Sequence, residues 1–118
     1  VKFAALLLCV FGLLLGQERE GNFDIRFEPT AILQTEVAVP FKIDVKDDLR
    51  KPLAQAKVTL QIEMTDHSRV KVFPAPAISP GVYIAKPVFP VAGEWNVYVE
   101  VHRDNAMSAR TIQFSVAD

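Results

Sequence analysis

From Phe23 onward, apolar and polar residues alternate with a period of two, the spacing of strands that bury one face. Phe23, Ile25 and Phe27 alternate with Asp24 and Arg26, and Pro29 stops the run. Val37, Val39, Phe41, Ile43 and Val45 form the next series. Pro40 inside it marks an edge position or a bulge, because proline has no N–H for the ladder. After the polar turn Asp47–Pro52, the core phase resumes with Val58, Leu60, Ile62 and Met64. Residues 65–80 are less regular and hold a short candidate strand, Val70–Phe73, before Pro74, Pro76 and Pro80. Gly81 opens a strand over Val82–Phe89, closed by Pro90, and Gly93 precedes Trp95, Val97, Val99 and Val101. Beyond the turn Arg103–Asn105, the residues Ile112, Phe114 and Val116 complete the pattern. Six clear strands and a seventh shorter one, with no helical periodicity after residue 20, predict an all-β, immunoglobulin-like antiparallel β-sandwich.

A different segment precedes the alternation. Lys2 is followed by thirteen apolar or small residues, Phe3–Leu15, and then by the polar Gln17–Glu20. This predicts a short hydrophobic helix with the n-region and h-region of a secretory signal, below the roughly 20 residues of a spanning helix. Cleavage after Gly16 leaves Leu14 at the −3 position, where a small residue is preferred. The first residue is Val1, so either an alternative start is in use or residues lie upstream. In the second case the segment is the end of a transmembrane helix. The expected organisation is a signal peptide or membrane anchor over 1–16, a linker over 17–22, and a sandwich over 23–118 placed outside the cytoplasm. The membrane is then a partner through residues 1–16 if they are retained. The net charge of −1 and the lack of a basic run exclude nucleic acid as the expected partner. The only cysteine, Cys9, lies in the hydrophobic segment, which leaves the sandwich without a disulfide or a thiolate metal site.

Enzymatic chemistry is not expected. The sequence holds no Gly-x-Ser-x-Gly, no phosphate-cradling glycine loop and no His-Glu-x-x-His, and nothing near either of its two histidines suggests the paired nucleophile that a triad needs. The soft metal ligands are Met64, His67, His102 and Met107, a thioether and imidazole set suited to copper in an oxidising compartment. Met64 also continues the core phase, where a methionine fills irregular gaps. In an immunoglobulin-like order the strands ending at Met64 and at His102 are antiparallel. Met64 and His67 then lie at one end of the sandwich and His102 and Met107 at the other, roughly 30 Å away. Met64 and His67, supported by Asp66, are the candidate metal ligands. Trp95 is in phase with Val97 and Val99 and is expected between the sheets. Tyr98 is out of phase with the core and is the candidate partner contact.

Three stretches carry a resemblance. Gly81-Val82-Tyr83-Ile84-Ala85 and Ala92-Gly93-Glu94-Trp95-Asn96-Val97-Tyr98-Val99-Glu100-Val101 resemble the paired strands that end YtkA-like and FixH-like domains of bacterial envelope proteins. Pro52-Leu53-Ala54-Gln55-Ala56-Lys57-Val58 is similar to the entry into a central strand of those domains. The resemblance spans roughly residues 35–117. It implies an exported or membrane-tethered accessory module that contacts an envelope or membrane protein, in settings of copper handling or oxidase assembly. Relatives carry a Met/His-rich stretch where this chain has Glu63–His67, of which Met64 and His67 are the matching residues. No cofactor other than copper is implied. The expected function is therefore a non-enzymatic β-sandwich accessory module. The alternative is a structural immunoglobulin-like interaction or spacer domain without a ligand.

Overall fold

The computed structural model describes residues 19–118. Within them, nine strands follow one another: β1 (Arg19–Glu20), β2 (Asp24–Pro29), β3 (Phe41–Lys46), β4 (Lys57–Met64), β5 (Val70–Pro74), β6 (Ala77–Ser79), β7 (Val82–Ala85), β8 (Gly93–Arg103) and β9 (Ala106–Val116). They form two sheets, one ordered β2-β3-β7-β6 and the other β1-β9-β8-β4-β5. All pairings between these strands are antiparallel except that of β1 with β9. The chain changes sheet after β1, after β3, after β5 and after β7, the order of an immunoglobulin-like sandwich in which β1 and β5 flank the central three strands of the second sheet.

The alternation predicts this architecture, with local departures. β3 begins at Phe41 and not at Val37: Pro40 has no N–H for the ladder, although its carbonyl still accepts from Thr30 N at 2.9 Å. Val39 is nevertheless buried, and Ala38 bridges to Val88. Pro87 likewise limits β7 to Ala85, while Phe89 remains in the core. The short β6 has all three residues exposed, so it carries no alternation for a sequence reading to find. Residues 19–21, inside the stretch expected to be a linker, lie along β9, and Gly21 N donates to Met107 O at 2.7 Å. The hydrophobic segment 1–16 and its expected helix lie outside the described residues.

The core is apolar throughout its described residues, with Trp95, Phe41, Phe89, Ile43, Leu60 and Val97 all but inaccessible. Phe89 meets Trp95 edge-on at 5.3 Å between ring centres, and Phe41 meets Phe114 at 5.4 Å, geometries that match the positive edge of one ring to the negative face of the next. The indole N–H of Trp95 is satisfied by Val91 O at 3.1 Å.

Tyr83 carries a polar group into this core. Its hydroxyl donates to Leu53 O at 2.6 Å and accepts from Ala56 N at 3.2 Å, holding the connection between β3 and β4 against β7. Gly81 allows the approach. Its φ of +77° is open to glycine, and a side chain there would come within 2.7 Å of Pro52 Cβ. Two of the three stretches that carry the resemblance, Gly81–Ala85 and Pro52–Val58, therefore meet at one clamp. Replacing Tyr83 with Phe keeps the ring but strands a buried carbonyl and amide. It is expected to cost about 1–3 kcal/mol of unfolding free energy in a denaturant titration, with no change in the slope.

Candidate functional site

The Met64–His67 stretch is the hairpin between β4 and β5. Met64 N donates to Arg69 O at 3.0 Å, and within the loop His67 N donates to Met64 O at 2.8 Å. His67 has a φ of +65°, the left-handed conformation that closes tight hairpin loops. Asp66 accepts from Ser68 N at 2.9 Å, and the Ser68 hydroxyl and amide together hold its carboxyl below the usual range. The Ser68 hydroxyl also lies 3.6 Å from Met64 Sδ. Met64 continues the core phase and is partly buried, its methyl group against Gly93.

His67 is three-quarters exposed, and its Nδ1 lies 2.8 Å from Glu63 Oε2. With the proton on Nδ1 donated to this carboxylate, Nε2 faces outward as a lone-pair donor, the arrangement that orients a metal-binding imidazole. Glu63 is a residue that sequence reasoning misses. Its sole signal is position: it ends the polar phase of β4 four residues before a histidine across a tight turn. The loop thus supplies two soft donors and an orienting carboxylate. Among the described residues no three His, Cys, Asp or Glu side chains converge as a metal cage.

The other soft pair is at the opposite end. Met64 pairs with Trp95 and Lys57 with His102, seven residues apart along β4, about 24 Å at strand rise. His102 and Met107 are direct cross-strand partners on β8 and β9. The outward face of β8 carries Tyr98, Glu100 and His102 in succession. Tyr98 donates its hydroxyl to Glu100 Oε2 at 2.7 Å, and His102 Nε2 contacts Glu100 Oε1. The candidate contact Tyr98 is thus half-buried, with its hydroxyl engaged by its own strand. The His102 imidazole, the Tyr98 hydroxyl and the nearby Lys57 charge hold the Glu100 carboxyl below its usual range. The same hydrogen bond, with partial burial and the carboxylate's charge, pushes the Tyr98 phenol up.

This linkage has a direct readout. Ionising Tyr98 breaks its hydrogen bond and sets two anions side by side, so its titration midpoint, followed by NMR at the ring Cζ, should lie above the ordinary tyrosine value. Glu100→Gln removes the negative charge and should bring the midpoint down towards that value; an unchanged midpoint would show that Glu100 is not the cause.

The comparisons with known proteins agree with this architecture. No curated protein matches the chain. A solved structure of a DUF4426 family protein from Pseudomonas aeruginosa PAO1 is similar, with a TM-score of 0.52 at 14% identity, covering 85% of this chain and 94% of that one. At that identity the likeness speaks for the fold alone. The model of the YtkA-like family matches residues 17–100, which include β1 to β7, most of β8, the Tyr83 clamp and the Met64–His67 hairpin. The chain belongs to the YtkA-like family.

Proposed function

We propose that this chain is a non-enzymatic accessory module that works outside the cytoplasm by contact with an envelope or membrane protein. One observation carries the reading. Large apolar side chains are exposed on the end strand of each sheet, Val70 and Val72 on β5 and Ile78 on β6, and Val88 is exposed after β7. Apolar side chains left exposed on edge strands favour contact with another protein. The apolar core and the internally bonded polar residues of β8 support a role without catalysis. The hydrophobic run Phe3–Leu15 supports export or anchoring.

A photo-crosslinking residue placed at Tyr98 or Val72 of the full chain, expressed in its source cell, tests this reading. The expected outcome is recovery outside the cytosol with a discrete adduct to an envelope protein. Cytosolic recovery without an adduct would overturn it.

The second reading is transient copper contact, favoured by the His67 imidazole that Glu63 orients and by the presence of the Met64 thioether in the same hairpin. The left-handed backbone at His67 makes glycine the informative substitution. His67→Gly should leave stability within about 1 kcal/mol of the parent, since glycine accepts that conformation freely. In a Cu(I) titration against a competing chelator, the parent should compete and His67→Gly should not. Equal behaviour of the two proteins would remove copper from the account.

A further inference from the structure

The edge of β5 offers more than exposed side chains. Bonded pairs in the β4–β5 hairpin are marked at both ends, by Met64 N to Arg69 O and by Ala75 N to Val58 O, each 3.0 Å. Bonded and non-bonded pairs alternate in an antiparallel ladder. With Ile62 opposite Lys71 and Leu60 opposite Phe73, the backbone groups of Lys71 and Phe73 turn towards β4. Val70 and Val72, opposite Glu63 and Gln61, occupy the non-bonded positions and turn their N–H and C=O groups away from the sheet. β5 is the last strand of its sheet, and no described residue pairs with that edge. The side chains of the same two valines are 55% and 53% exposed.

An open strand edge with exposed valines is a template for another strand. Its charge selects the occupant. Arg69 and Lys71 line the groove beside it, above a floor formed by Ile62, Val88, Pro90 and Trp95. The Lys71 ammonium lies 5.4 Å from the centre of the Phe73 ring, which keeps it along the inner side of the edge. A second copy of β5 would crowd the cations of both chains together, so charge disfavours self-pairing. An incoming strand shares the pleat of β5, and its side chains alternate between the two faces. Those on the inner side meet Arg69 and Lys71; those on the outer side meet Val70 and Val72.

We propose that β5 is a docking edge for an extended segment of the partner protein in which acidic and apolar residues alternate. The proposal rests on the protein-contact reading above and names how the contact is made. Main-chain bonds to Val70 and Val72 supply affinity, and the alternation supplies selectivity.

The test uses the full chain in mild detergent and a fluorescent peptide of alternating valine and glutamate, with a valine–lysine peptide for comparison. The glutamate peptide should bind saturably and the lysine peptide should not. Val72→Pro removes an N–H that points away from β4, so the thermal midpoint should stay nearly unchanged. Affinity should fall roughly tenfold or more, the scale of losing one or two interfacial hydrogen bonds. Lys71→Glu should reverse the preference between the peptides, which serves as a second variant if the proline protein is unstable. Failure of the glutamate peptide to bind, equal binding of both peptides, or indifference to both substitutions would overturn the proposal. So would concentration-dependent dimerisation abolished by Val72→Pro, which would give the edge to a second copy. An envelope adduct at Tyr98 alongside failed peptide binding would sink the docking edge and leave the protein-contact reading standing.

Discussion

A single phenol fastens the two halves of this sandwich. Tyr83 is almost wholly inaccessible, and burying its hydroxyl without partners would cost more than the bond itself contributes. The partners come from a segment about thirty residues earlier, at Leu53 and Ala56. That segment carries the chain from the four-stranded sheet to the five-stranded one, so satisfying Tyr83 also fixes where β4 starts. The close approach needs Gly81, whose carbonyl accepts from Val45 N at 2.9 Å while Leu53 N donates to Val45 O at 2.9 Å. Placing β4 in turn places its partners β5 and β8.

The two ends of β4 have different characters as a result. The end at Lys57 faces the ladder of Tyr98, Glu100 and His102, where hydrogen bonds tie one strand's polar side chains to each other. The end at Met64 leads into a tight hairpin whose closure depends on the left-handed His67. That hairpin does two things at once: it turns the His67 imidazole outward beside Glu63, and it sets the register that leaves Val70 and Val72 unbonded at the sheet edge. The loop from Met64 to Ser68 thus determines both the direction of the His67 imidazole and the edge that β5 presents.

Much of this architecture is legible in the order of the residues. Strict alternation from Phe23 to Phe27, Val58 to Met64 and Trp95 to Val101 marks strands with one buried face, and the buried phase agrees with the structure at Ile25, Leu60, Ile62, Val97 and Val99. Trp95 is expected between the sheets and lies there against Phe89. What the pattern cannot mark is β6, whose three residues are all exposed, nor the orientation of Glu63, which depends on the turn that follows it.

By itself, the sequence determined the class of fold, the buried faces of the main strands and the position of the soft donors at separate strand ends, because period-two alternation states locally which side of a strand avoids water. Tertiary structure decided three things: that the hydroxyl of Tyr83 would close the crossover, that the hydroxyl of Tyr98 would be taken up by Glu100, and that β5 would be the last strand of its sheet. Each depends on which strands become neighbours, and pairing partners distant in sequence are set by packing of the whole core and not by any local run of residues.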